Sequence, residues 1–289
     1  MYKELIPVIS PQHFHHVASI LRSVFTELGY LEVHPQNRLS ILAACEDPFT
    51  ISTFNYAGEV WPLIQTNQMS LEHDLLKNPE LPGVFCLTTS YRNEPKPTPG
   101  RHHLAFPMFE FEGRGDFSTL MDVLDKILSK CGFDLFENKM RWPYRDACKM
   151  LKCKDIGHEE ESKLSKSDVV AYLYDFPERS NPFWNMKRER QKGVGVVAKK
   201  CDVIIGGMET IGSAERSCNP TQMIDSFNTV EEGKYKAKLF ELFGEKRVLK
   251  ELDDFLGLKF ISRFGGGIGI TRLLHGLMKD RLINMPVYR

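Results

Sequence analysis

Three separated stretches of this chain carry side chains of the kind that handle a phosphorylated nucleotide. The first is Tyr91-Arg92-Asn93-Glu94, followed by Arg101-His102 and by the run from Phe106 to Glu112. The second is Gly265-Gly266-Gly267-Ile268-Gly269-Ile270-Thr271-Arg272. The third opens at Asp202, crosses Gly206-Gly207 to Glu209 and reaches Arg216. A guanidinium such as that of Arg92 or Arg272 offers phosphate a planar fork of donors and spreads the charge that develops during transfer. Carboxylates, an aromatic face and glycines that let backbone approach a ligand, Gly267 and Gly269 among them, complete a set suited to ATP. Asp202 and Glu209, seven residues apart on a strand and just past a glycine turn, can bracket one Mg²⁺ bridging ATP phosphates. No Gly-Lys-Ser/Thr follows any glycine run, so no Walker A loop is present, and the glycine spacing is not that of a dinucleotide fingerprint.

Hydrophobic periodicity supplies the elements that position these groups. Apolar residues at Phe14, Val17, Ile20, Leu21, Val24, Phe25 and Leu28 form one stripe of an amphipathic helix. Gly29 stops that helix, and Tyr30 to Pro35 alternates like a strand ending at proline. Residues 83–92 read as a strand, 93–103 as a polar, proline-rich loop, and Leu104 to Glu112 as a returning strand, which together make a hairpin with a long charged loop. Asp116 or Ser118 caps the next helix, and residues 141–151 read as a turn entering another. The charged stretch 154–168 is expected to be exposed and mobile, and 187–192 to be a loop. Strands are expected at 194–198 and 202–205, a helix near 231–257, and a strand feeding a helix over 263–279. The order is rich in antiparallel pairs with interspersed helices, which predicts an α+β fold rather than a βαβ series.

Composition sets outer limits. Lys+Arg 38 balances Asp+Glu 38, so no bulk positive field draws polyanions. The 289 residues, 42% hydrophobic and 26% charged, suffice for one large globular domain, expected to span 1–289. None of the seven cysteines form Cys-x-x-Cys, which predicts free thiols in a reducing compartment. The N-terminus lacks an apolar signal region and no stretch approaches the roughly 20 apolar residues of a span. The expected location is cytoplasmic. His13, His15, His16 and His275 read as core or surface residues rather than ligands.

The three stretches resemble the class II aminoacyl-tRNA synthetases, in particular their aspartate, asparagine and lysine subgroup. Motif 1 corresponds to about 20–35, motif 2 to about 84–112 and motif 3 to about 263–279. The resemblance implies a class II synthetase-like antiparallel sheet flanked by helices, and a homodimer formed through the 11–35 segment. It implies that Arg92 holds the α-phosphate of ATP, that Glu94 lies near the adenine amino group and that Arg101-His102 reaches the terminal phosphates. Phe106 matches the aromatic on which adenine stacks, with Arg272 over the other face. Asp202 and Glu209 match the magnesium-binding pair, and Arg216 an arginine that grips a substrate side-chain carboxylate. Gln65-Thr66-Asn67-Gln68 resembles a Gln-Ser-Pro-Gln segment that helps hold the amino acid's ammonium group, for which Glu46 is a second partner.

Three departures shape the functional expectation. Ala105 stands where the family carries glutamate before the stacking phenylalanine, and Thr271 where it carries glutamate before the motif 3 arginine. Fewer than 15 residues precede the 11–35 segment, too few for the five-stranded anticodon-binding barrel of the subgroup. The sequence from Gly265 to Leu273 also looks like asparagine synthetase A, a free-standing class II core whose motif 3 reads Gly-Gly-Gly-Ile-Gly-x-Ser-Arg-Leu. The expectation is therefore ATP- and Mg²⁺-dependent activation of aspartate as an acyl-adenylate, with ammonia as acceptor. Two alternatives stay open: a ligase charging tRNA or a protein with an aspartyl-, asparaginyl- or lysyl-type amino acid, or a catalytically silent paralogue that binds the same ligands.

Overall fold

The computed structural model describes residues 6–35, 39–42, 46–165, 169–180 and 182–283. Helix α1, Pro11–Glu27, begins where the Ser10 hydroxyl accepts from the His13 amide and Pro11 fills the first turn, a position that needs no amide donor. It buries the predicted stripe of Val17, Leu21, Val24 and Phe25. Gly29, at φ +77°, turns the chain into β1, Leu31–Glu32. An exposed hairpin follows, β2 over Thr53–Tyr56 and β3 over Glu59–Pro62, and then α2, Gln68–Lys77. The expected long hairpin is β4, Gly83–Tyr91, with β5, Ala105–Arg114. Asp116 caps α3, Phe117–Lys130, by accepting from the Thr119 amide.

The next segment departs from expectation. Residues 139–143 form β6, Lys139–Pro143, leading into α4, Tyr144–Leu151. The stretch expected to be exposed and mobile contains α5, His158–Leu164, which packs against the rest of the fold; residues 166–168 lie outside the described set. β7, Val170–Pro177, pairs with β6 in parallel. The expected loop at 187–192 is an edge strand, β8, Arg188–Gln191, and the two strands expected beside it are one, β9, Gly195–Ile205. β10, Met208–Glu215, returns antiparallel to β9 through Gly206 and Gly207, both at positive φ. α6, Pro220–Thr229, precedes two helices where one was expected: α7, Lys234–Phe243, and α8, Glu245–Leu256, broken at Gly244. β11, Arg263–Gly269, feeds α9, Ile270–Lys279.

The main sheet runs in the order β1-β4-β5-β11-β10-β9-β7-β6, with β8 paired to β9; only β1 with β4 and β6 with β7 are parallel. One face packs on α1, α3 and α9, where Phe25 meets Phe111 at 4.9 Å, Phe109 at 5.1 Å and Phe85 at 5.6 Å between ring centroids. Because side chains alternate along a strand, Phe109 and Phe111 on the core face leave Phe106, Met108, Glu110 and Glu112 on the other. Crowding accounts for two of the motif 3 glycines. A Cβ at Gly265 would overlap the buried Glu112 carboxylate, and one at Gly266 would stand 2.9 Å from the Gly212 carbonyl oxygen. Among the described residues there is no five-stranded barrel, and no helix is long and apolar enough to cross a membrane.

Candidate active site

The three chemistry-bearing stretches converge because β5, β11, β10 and β9 are consecutive in the sheet. A cavity of about 370 Å³ is lined by Arg92, Glu94, Arg101, His102 and Phe106 from the β4–β5 hairpin, Gly267, Gly269 and Arg272 from motif 3, and Glu209 from β10. All eight residues expected to contact nucleotide are therefore in one place. The Arg92 guanidinium lies 5.7 Å from the centroid of the Phe106 ring, the position expected of Arg272 being on the opposite side of the base. Arg272 instead donates to the Glu209 carbonyl at 2.7 Å and to that of Arg101 at 3.4 Å, which ties motif 3 to the motif 2 loop. Glu94 stands 2.6 Å from His102 Nδ1. Among the described residues, the buried Nε–H groups of Arg92 and Arg101 have no acceptor. Such donors are costly to leave unpaired and suit an anionic ligand. Burial lowers the pKa of Arg272 and, together with neighbouring cations, those of His103 and His158, which line the same cavity.

A second cavity of about 420 Å³ adjoins the first and shares Glu161, Lys200 and Glu209 with it. Glu46, Asp202, Met186 and Tyr235 are among its walls. Glu46 accepts from the Thr66 amide at 3.3 Å, so the two short segments expected to hold an ammonium group do meet. Gln68 and Arg216 belong to the lining of neither cavity. They are buried beneath the site, where Arg216 donates to Glu112 at 2.5 Å and to Gln68 Oε1 at 2.9 Å, with Glu72 at 3.5 Å. Arg263 closes this network on Glu72 at 2.6 Å. Burial raises the Glu112 carboxyl to about 7 despite the pull of Arg216. Glu110, also buried, is raised to about 7, although it accepts from the Thr66 hydroxyl and the Asn67 amide.

Asp202 and Glu209, the pair expected to hold a metal, both line the second cavity. Asp202 Oδ2 accepts from Lys200 Nζ at 2.7 Å, while Oδ1 is buried with no partner among the described residues. Burial lifts the Asp202 carboxyl to about 8, with Glu209 and Glu161 adding to the rise and Lys200 opposing it. Burial also acts to raise Glu209, but the charges of Lys200, Arg272, Arg92 and Arg101 hold it below the usual range. Two carboxylates on neighbouring strands, one with an orphaned oxygen, fit a hard divalent cation. Among the described residues no group of three His, Cys, Asp or Glu is placed to hold a metal alone.

Several lining residues were missed in the sequence. Lys200 was findable, because two residues before Asp202 on a strand puts it on the same face. Glu161 and His158 sit in a charged run that shows no pattern pointing inward.

A family model for tRNA synthetases class II (D, K and N) matches residues 12–285. Among solved structures, an asparaginyl-tRNA synthetase from Pyrococcus horikoshii complexed with asparaginyl-adenylate superposes at TM-score 0.72 and 21% identity, over 93% of this chain and 64% of that one. An asparaginyl-tRNA synthetase from Entamoeba histolytica gives TM-score 0.69, 18% identity and the same coverages of 93% and 64%. A putative aspartyl-tRNA synthetase from Leishmania major Friedlin gives 0.69 and 17%, over 94% of this chain and 62% of that one. The chain thus spans less than two thirds of the length of these enzymes. No curated protein matches the sequence.

Proposed function

The chain belongs to the class II tRNA synthetases for aspartate, lysine and asparagine, and from that membership we propose that it activates an amino-acid carboxylate with ATP. The amino acid is aspartate and the acceptor of the activated acyl group is ammonia, giving asparagine. The observation that carries the reading is the convergence of Arg92, Arg101, Arg272, Phe106 and Glu209 on a single cavity, with Glu46 and Asp202 in the cavity beside it.

ATP occupies the first cavity and the amino acid the second. An oxygen of aspartate's β-carboxylate attacks the α-phosphorus in line; the new bond joins that carboxylate to phosphate, and the bond to the β-phosphate oxygen breaks as pyrophosphate leaves. Arg92 donates to the non-bridging oxygens as charge builds there, and Arg101 with His102 takes the charge of the departing pyrophosphate. Phe106 offers its face to adenine beside Glu94. Glu46 receives the ammonium group and, by fixing it, orients the carboxylate for attack. Asp202 and Glu209 would hold Mg²⁺, which when bound neutralises phosphate charge. Ammonia then attacks the acyl carbon and AMP departs. No side chain need form a covalent bond. We also propose a homodimer through the 11–35 segment.

A second reading has its own observation. The charge of Arg216 is already matched by Glu112 and Glu72, so the floor of the site offers a substrate carboxylate less positive charge than a solitary arginine would. A neutral carboxamide side chain, and hence asparagine with tRNA as acceptor, suits that balance. Exchange of labelled pyrophosphate into ATP, assayed with each of the twenty amino acids and Mg²⁺, separates the readings. Exchange with aspartate alone is expected. Exchange with asparagine alone supports the second reading, and none with any amino acid contradicts both and points to a binding paralogue.

A further inference from the structure

Helix α5 places one carboxylate in the middle of the cation-rich wall of the first cavity. Glu161 Oε2 receives the Arg101 guanidinium and also the Glu209 backbone amide at 3.2 Å. Arg101 places its other amino group on the Gly207 carbonyl at 3.0 Å. A guanidinium and a backbone amide converging on one oxygen is the arrangement by which proteins hold a phosphate oxygen. The carboxylate lies at the junction of the two cavities, which it lines together with Lys200 and Glu209.

The helix that delivers it is lightly anchored. Leu164 is the one buried side chain of α5. Its other contacts are polar or edge-on: Ser162 Oγ to the Gly207 carbonyl at 3.5 Å, and the His158 ring edge-on to His102 at 5.2 Å. The close approach depends on Gly207, where a Cβ would meet Ser162 Cα at 3.2 Å. A helix that buries one apolar side chain and is otherwise held by polar and edge-on contacts is cheap to displace locally.

From this geometry we infer that Glu161 is an internal stand-in for the terminal phosphates of ATP, and that it must leave Arg101 before they can bind. Glu161 is thereby an affinity-determining residue for the pyrophosphate moiety. It neutralises Arg101 and competes with incoming phosphate. The inference rests on the nucleotide reading of the first cavity, so its test must report on that reading separately.

AMP provides the separation, because it lacks the phosphates that Glu161 replaces. Calorimetric titration of the full chain with AMP, ATP and pyrophosphate, with Mg²⁺ present, is run on the wild type, Glu161→Gln and Glu161→Asp. Glu161→Gln is expected to bind ATP and pyrophosphate about tenfold more tightly, since the competing state is lost, and AMP within about twofold of wild type. Glu161→Asp, which retracts the charge by one methylene, moves the same two ligands in the same direction by less. Weaker or unchanged ATP and pyrophosphate binding in Glu161→Gln overturns the inference and makes Glu161 a residue that holds Arg101 in place. An equal change for all three ligands also overturns it. Failure of the wild type to bind AMP or ATP overturns the nucleotide reading itself.

Discussion

Arg92→Ala is expected to lower amino-acid-dependent pyrophosphate exchange by about 10²–10³-fold, the usual loss when one preorganised donor to a developing oxyanion is removed. Arg92 follows directly on β4 and faces the cavity, and its amide is fixed by the Leu104 carbonyl at 2.7 Å, so the backbone stays placed when the side chain goes. Its head group packs over Phe106, a contact worth about 0.5–1 kcal/mol at a partly exposed position, so thermal stability should barely move. The loss is therefore expected in kcat and kcat/KM together, with little change in KM for the amino acid. Arg92→Lys should recover only part of the rate, because a point charge lacks the planar fork. Full exchange activity in Arg92→Ala would remove the motif 2 assignment.

Asp202→Asn carries the second large effect. It removes a carboxyl that burial lifts to about 8 and that a bound cation would ionise; one oxygen accepts from Lys200 and the other is buried with no partner among the described residues. Exchange is expected to fall by about 10²-fold or more at fixed Mg²⁺, and the Mg²⁺ concentration for half-maximal rate to rise by about tenfold. Stability should be retained. Burial and the neighbouring Glu209 and Glu161 make the ionised Asp202 costly in the ligand-free fold, and Lys200 keeps the Glu209 charge nearby. A melting midpoint close to wild type alongside a lost rate separates the metal role from a folding role. Unchanged Mg²⁺ dependence would place the cation elsewhere.

The parts of the site that were legible in the sequence are those written in local pattern. The β4–β5 hairpin, the glycine strand β11 and the α1 stripe each rest on residues close together in sequence, and they bring Arg92, Phe106, Gly267 and Arg272 to one cavity. What stayed hidden depends on distant partners. Arg216 reads as a residue open to substrate, yet it is buried through Glu112, 104 residues away. β8 has no apolar alternation because Arg188 is satisfied otherwise, by the carbonyls of Pro182, Phe183 and Met186 and by the Glu178 carboxylate. α5 is rich in glutamate and reads as a solvated segment, and only the position of Arg101 across the cavity gives Glu161 a reason to be inside. The single helix expected near 231–257 breaks into α7 and α8 because Gly244, at positive φ, ends the first.

The most direct test of the central claim, that a carboxylate attacks the α-phosphate of ATP, follows the oxygen. Aspartate and asparagine, each labelled with oxygen-18 in its carboxyl groups, are incubated with the protein, ATP, Mg²⁺ and hydroxylamine to trap any activated acyl group. Mass spectrometry of the nucleotide is expected to find one labelled oxygen in AMP for the amino acid that is the substrate, with unlabelled pyrophosphate. Label in inorganic phosphate or pyrophosphate, or AMP formed without label, would contradict the account.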